Sequence, residues 1–213
     1  MPPSRAAATG PIRLTGGAWS GTRIFSPPGR VARPALAKVR AAIFNVLGAM
    51  DGARVLDLYA GTAALSFEAL SRGAASATIF ERDAECLAAI RASASKLDCA
   101  SQLRVLDGDV AHRLTDVAGE GADLAFADPP YAYVDEPAEC ENFRALLSRL
   151  KTEGGLRTGG WLVVEHRSRV ELEAPSGFAF DEIRRYGQTA LSFFTAGASG
   201  RSSQPATRNS QLP

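Results

Sequence analysis

No stretch of this sequence offers the run of about 18 apolar residues that a membrane-spanning helix needs, because charge or glycine interrupts every hydrophobic segment first. The opening MPPSRAAATGP has no apolar core of the kind a secretory leader carries, so a cytoplasmic protein without membrane attachment is expected. Cysteine is scarce. Cys86, Cys99 and Cys140 are odd in number and form no C-x-x-C pair, which argues against a disulfide framework and against a zinc site, so no metal is expected. The G-x-G-x-x-G fingerprint is missing as well, which disfavours an enzyme of NAD or FAD.

Acid is absent from the first fifty residues. Residues 1–54 carry eight basic side chains (Arg5, Arg13, Arg23, Arg30, Arg33, Lys38, Arg40, Arg54) and one acid, Asp51, a balance of +7, whereas the rest of the chain carries −6. A basic segment of this kind is either a solvated leader or a place where a polyanion docks. What is present is otherwise ordinary for a globular protein: 213 residues, 46% hydrophobic and 22% charged, enough for one domain with one core.

Residues 1–11 and 196–213 are rich in Ser, Ala, Pro, Gly and Gln without hydrophobic period, and read as tails. Between them, residues 12–33 form a small appendage and linker, in which IRLTGGAWSGTRIF places short alternating runs around a glycine-rich connection, a β-hairpin pattern. After Pro34, Leu36, Val39, Ile43, Val46 or Leu47 and Met50 recur at three- and four-residue steps, predicting an amphipathic helix that ends between Gly48 and Gly52. From residue 54 the segments RVLDLY, ATIFE, LRVLDG, DLAFA and WLVVE alternate with helical patterns, implying an α/β domain over 34–195 with a mostly parallel sheet covered on both faces. FDEIRRYG and TALSFF follow with too little chain for helical crossovers and are expected to pair as an antiparallel hairpin.

Ligands of open α/β sheets bind beyond the carboxyl ends of the strands. Four strand ends here carry acids. Asp57-Leu58-Tyr59-Ala60-Gly61 turns from strand to helix through small residues that admit a ligand close to the backbone. Glu81, followed by Arg82, ends the second strand, where a carboxylate can accept from both hydroxyls of a ribose. Asp109 and Val110 follow the third, an acid for an adenine amine and an apolar cover for its ring, with a plain Asp-Gly turn as the alternative.

The fourth end is Asp128-Pro129-Pro130-Tyr131. Two prolines fix the backbone and remove two amide donors, so acceptors and an aromatic ring remain. An exocyclic base amine is a poor nucleophile because its lone pair is delocalised into the ring. Acceptance of its two N–H groups by the Asp128 carboxylate and the Pro129 carbonyl frees that pair. Tyr131 can stack on the base, a contact worth about 1–3 kcal/mol. His112 and His166 are assigned no role.

With these residues in place, the chain resembles the class I S-adenosylmethionine-dependent amino-methyltransferases, whose signature is D/N/S-P-P-Y/F. It resembles more closely the bacterial 16S rRNA guanine-N2 methyltransferases of the small-subunit head. That likeness spans about residues 12–194 and rests on Gly16-Gly17-Ala18-Trp19-Ser20-Gly21, Arg33-Pro34 through Val39-Arg40 to Phe44-Asn45, Val55 through Ala74, and Arg185 to Gln188. The resemblance implies a Rossmann-like, seven-stranded, mostly parallel sheet with an antiparallel C-terminal hairpin and a small N-terminal hairpin. It also implies S-adenosylmethionine as cofactor, held by Asp57, Tyr59, Ala60, Gly61, Glu81, Arg82, Asp109 and Val110, with Asp128, Pro129, Pro130 and Tyr131 at the target guanine. Arg13, Trp19, Arg23, Arg33, Lys38 and Arg40 are expected to face 16S rRNA or the assembling small subunit, and the protein is expected to act as a monomer. Trp19 reads equally as a core residue of the hairpin. Ala63 and Ser66 depart from the family pattern in replacing glycines, and Ala37 and Ala41 in replacing acids.

Two rivals stay open on sequence alone. The same motif serves amino-methylation of DNA bases and, as N-P-P-Y, of protein glutamine, although Asp128 favours a base and the chain leaves little room for a DNA target-recognition region. A degenerate RNA-binding or assembly protein is the other.

Overall fold

A computed structural model describes residues 12–27 and 34–197; the expected tails up to residue 11 and beyond residue 197, and Arg33, lie outside the described residues. In chain order the elements are β1 (Ile12–Arg13), β2 (Arg23–Ile24), α1 (Pro34–Leu47), β3 (Arg54–Asp57), α2 (Ala64–Ser71), β4 (Ser76–Glu81), α3 (Ala84–Lys96), β5 (Leu103–Asp107), α4 (Val110–Arg113), β6 (Ala122–Ala127), α5 (Ala132–Asp135), α6 (Pro137–Thr152), β7 (Leu156–Arg167), β8 (Phe178–Tyr186) and β9 (Thr189–Ala196). β1 and β2 form the expected hairpin. The other seven strands make one sheet in the order β5-β4-β3-β6-β7-β9-β8.

Alternation along the strands explains why both faces are covered. Val55, Ile79, Leu124, Phe126, Val163, Leu191 and Phe193 meet α1, α2 and α3 through Ile43, Phe44, Phe67 and Ile90. The intervening Leu56, Phe80, Ala125, Ala127, Leu162, Val164 and Phe194 meet Val110, Leu114 and the α6 residues Phe143, Leu147 and Leu150 on the other side. Each fully buried Leu, Ile or Phe contributes about 1.5–3 kcal/mol, so these two layers supply the main drive to fold.

Pairing is parallel from β5 across to β7. It turns antiparallel at β9 and β8, where Gly187 (φ +61°) lets the chain reverse between Tyr186 and Thr189. β9 reaches one residue beyond the expected domain edge, to the fully buried Ala196. From β3 the chain moves outward to β4 and β5, then returns to β6 on the other side of β3. That reversal opens a crevice at the carboxyl ends of β3 and β6.

Candidate active site

The crevice is a cleft of about 940 Å³. Its lining includes Asp57, Tyr59, Ala60, Gly61, Glu81, Arg82, Asp109 and Val110 on one side and Asp128, Pro129, Pro130 and Tyr131 on the other. Sequence distance of about seventy residues thus separates groups that share one cavity, because β3 and β6 are direct neighbours with Asp57 opposite Phe126.

The loop after β3 is built by its acids. Asp57 is fully buried, and its Oδ2 accepts from the Ser66 hydroxyl at 2.8 Å. Burial raises the Asp57 pKa to about 7; the Ser66 bond works against that rise, and the charges of Asp128 and Glu81 add to it. Glu81 Oε2 accepts the Gly61 N–H at 2.6 Å, while its Oε1 accepts the N–H groups of Arg82 and Asp83 at 2.8 Å each. An ionised carboxylate has about four acceptor positions, so capacity remains for a ligand hydroxyl. Ala63 stands at φ 55°, ψ 32° as the residue before α2, and is fully buried. The glycine of the family pattern therefore sits where the backbone is left-handed, and the Ala63 methyl carries strain of about 1–2 kcal/mol.

Beyond β5, Asp109 caps α4. Its Oδ1 accepts from Ala111 N–H at 2.9 Å and its Oδ2 pairs with Arg82 at 3.0 Å, which ties the two loops across the mouth of the cleft. Val110 is buried behind it.

At the end of β6 the Pro130 carbonyl accepts from Tyr133 N–H at 2.9 Å, beginning the turn into α5. The Pro129 carbonyl takes no hydrogen bond from the described residues, nor does the Asp128 carboxylate. Asp128 is solvent-accessible where it lines the cleft, and desolvation by the protein packed around it raises its pKa. Tyr131 is 44% exposed, and the Arg167 guanidinium lies 4.2 Å from its ring centroid. Arg167 is itself held 2.8 Å from Asp135. The ring is thereby backed by a fixed cation, with its remaining surface free to receive another flat group.

Among the cleft residues that the sequence patterns do not single out are Tyr133 and Glu165. Tyr133 packs edge-on to Tyr59 at 5.9 Å and lines the wall. Glu165, in β7, faces the same cavity. Burial raises its pKa, and the charge of Asp128 adds to the rise. Its signal was present as the acid that closes WLVVE, but that run reads first as a central strand.

The expected RNA-facing residues separate into groups. Arg13, Arg23 and Lys38 are exposed. Trp19 is half-buried and packs against the core, and its backbone N–H donates to Ser71 Oγ at 2.9 Å. Arg40 corrects the expectation: it is only 7% exposed, because its Nε meets the buried Glu68 at 3.2 Å and its Nη2 donates to the Arg13 carbonyl at 2.5 Å. Glu68 also accepts from Thr15 and Arg72, so Arg40 belongs to a buried ionic knot that fastens the hairpin to α2. Burial alone works to raise the Glu68 pKa, but the hydrogen bonds from Thr15 and Arg72 and the charge of Arg40 outweigh it and hold the carboxyl below its usual value. Ala37 lines the cleft wall as an apolar surface. His166 is buried, with its ring bound to Ser192 Oγ and the Arg167 carbonyl.

A seven-stranded sheet with this order and this cleft defines the class I methyltransferase fold. The family described as Conserved hypothetical protein 95 matches residues 12–195, and the chain belongs to that family. It is 30% identical over 204 residues to ribosomal RNA small subunit methyltransferase D of Escherichia coli K12, covering 92% of this chain and 96% of that protein. It is 29% identical over 187 residues to YlbH of Bacillus subtilis, covering 86% and 98%. Among solved structures, the yhhF methyltransferase of Escherichia coli superposes with a TM-score of 0.71 at 30% identity, covering 89% of this chain and all of that one.

Proposed function

We propose that the protein is an S-adenosylmethionine-dependent methyltransferase acting on the exocyclic N2 amine of a guanine in small-subunit rRNA. The observation that carries this reading is that Asp128 and Pro129 line the same cleft as Gly61 and Glu81. The names of the curated relatives, rRNA methyltransferases, support the substrate class.

The residues present fit the cofactor. Glu81 keeps acceptor capacity for ribose hydroxyls, Val110 offers an apolar surface to an adenine, and the carboxylates of Asp57 and Asp128 give the cavity the negative potential that a sulfonium favours. When bound, S-adenosylmethionine supplies a methyl carbon activated by positive sulfur. The protein's own contribution is positional. Tyr131, backed by Arg167, receives the base; the Pro129 carbonyl and Asp128 accept the two amine hydrogens and aim the nitrogen lone pair at the methyl carbon. Asp128 is the carboxylate placed to take the proton that the amine gives up on methylation. Arg13 lines the cleft, Arg23 pairs with it across the hairpin and Lys38 follows the cleft-lining Ala37, and all three are exposed cations suited to phosphates.

Mass mapping of small-subunit rRNA from cells with and without the gene tests the reading. One N2-methylguanine present only with the protein is expected; identical maps contradict it.

A further inference from the structure

The paired strand ends β6 and β7 set a second carboxyl beside Asp128. Ala127, the last residue of β6, pairs with Val164, and the residues that follow on each chain are Asp128 and Glu165, so the inter-strand spacing of about 5 Å brings the two carboxyl-bearing residues close together. Alternation also puts them on one face: Phe126 and Val163 point into the layer beneath α1, Leu191 opposite Glu165 belongs to that layer, and Asp128 and Glu165 lie two residues beyond the first two. Both line the cleft, and among the described residues Glu165 makes no hydrogen bond and no ion pair.

The charges around Glu165 come from each neighbouring element. Asp57 and Asp128 at the ends of β3 and β6 and Glu81 at the end of β4 are acids; Arg40 on α1 is committed to Glu68, Arg167 further along β7 to Asp135 and Tyr131, and Arg82 after β4 to Asp109, while Arg13 in β1, which also lines the cleft, donates to the Gly21 carbonyl. Two carboxyls this close, in a cleft where no described cation is paired with either, are disfavoured from both ionising. One proton stays with the pair. Glu165, farther from the acceptor corner, is the member that can keep it while Asp128 acts as the anionic acceptor.

A carboxyl that keeps its proton shows one acceptor and one donor side by side. Guanine, entered with its N2 amine at Asp128 and Pro129, presents next to that amine a ring N1–H donor and then the O6 acceptor. The two patterns are complementary. Cytosine, with its amine at the same corner, presents two acceptors in succession; adenine presents an acceptor and then a carbon-bound hydrogen. We propose that Glu165 is the specificity-determining residue of the site, accepting from guanine N1–H and donating to O6 while Asp128 and the Pro129 carbonyl hold the amine. This rests on the guanine-N2 reading above.

The decisive comparison uses small-subunit rRNA rebuilt by splinted ligation with either guanine or 2-aminopurine at the mapped nucleotide, both naked and reconstituted with small-subunit proteins. 2-Aminopurine keeps the target amine but lacks N1–H and O6. The parent protein should prefer guanine in kcat/KM by at least about 100-fold, the loss expected when a site built for hydrogen bonds meets an analogue without them. Glu165→Gln, whose amide shows the same acceptor and donor as a neutral carboxyl, should retain guanine methylation within a few-fold and keep the preference. Glu165→Ala should lose at least tenfold on guanine and little on 2-aminopurine, collapsing the ratio. Calorimetry with S-adenosylmethionine should give similar affinities for all three, which separates base reading from a damaged fold. A Glu165→Ala protein that discriminates as the parent does, or a Glu165→Gln protein as impaired as Glu165→Ala, overturns the proposal and leaves the activity standing. A parent that methylates no guanine amine overturns the functional reading and this inference with it.

Discussion

Ala63 shows how closely balanced a single position can be. Replacing it by glycine removes about 1–2 kcal/mol of left-handed strain. Against that stand about 0.5–1 kcal/mol for the greater entropy glycine loses on folding and about 0.8 kcal/mol for the buried methyl. The terms nearly cancel, so Ala63→Gly should change stability by no more than about 1 kcal/mol, which explains how this chain tolerates alanine where the family pattern has glycine. Ala63→Val is different. A β-branched residue is a genuine outlier at φ 55°, and its extra methyls enter a site with no exposed surface, so a loss of about 1–3 kcal/mol from overpacking adds to the strain. Urea denaturation of the two variants checks this; an Ala63→Val protein as stable as the parent contradicts it. That the sequence shows Ala63 as a departure, yet not its backbone angle, is physical: the angle belongs to a tight turn, in which the Ala63 N–H donates to the Ala60 carbonyl at 2.6 Å, that packs into the core before α2.

At the scale of elements, the N-terminal hairpin is joined to α2 by close contacts, which at Gly17 meet backbone and leave no room for a side chain and at Gly16 would require the Arg72 side chain to move. A Cβ at Gly17 (φ +75°) would lie 1.8 Å from the Ser71 carbonyl oxygen, and one at Gly16 would meet the Arg72 guanidinium at 2.2 Å. The GG-x-W-x-G motif is therefore explained by docking: the glycines admit α2, and Trp19 packs on the core below. Glu68 is the centre of that joint. Removing it leaves the buried Arg40 without its partner, and Glu68→Ala should cost about 3–5 kcal/mol, readable as a lower urea midpoint. No change would show that the hairpin is held by packing alone. The strands, the hairpin and the acids that close β3, β4 and β6 were legible in the sequence because each ends a periodic run at a turn. Arg40 was misread because its partner lies 28 residues away on another element, and a charged residue on an amphipathic helix looks solvated until that partner is placed. Glu165 escaped notice for the opposite reason: the apolar run before it reads as a buried strand, and only the parallel register with β6 shows that the run delivers an acid to the cleft.

For the whole molecule, an acid-lined cleft has a consequence for pH. Asp57 holds its proton up to about pH 7 in the folded protein, whereas an ordinary aspartate releases it near 3.8. Between those values the folded state binds more protons than the unfolded one, so stability falls as pH rises from about 4 to about 7, by at most about 4 kcal/mol for this group. Asp57→Asn should flatten that slope in urea titrations at pH 5 and pH 8; an unchanged slope shows that Asp57 ionises normally. A cationic ligand reverses the balance, because it favours the ionised carboxylates. S-adenosylmethionine affinity measured by calorimetry should therefore rise from pH 5 to pH 8, and a flat or falling profile contradicts the charge assignment. The central claim is that the di-proline corner offers its oxygens to an amine beside the bound methyl donor. Its most direct test is single-turnover transfer from radiolabelled S-adenosylmethionine to small-subunit rRNA by the parent and by Asp128→Ala, with cofactor affinity measured in parallel. The account predicts a rate lower by about 10²–10⁴-fold at nearly unchanged affinity; equal rates for the two proteins contradict it.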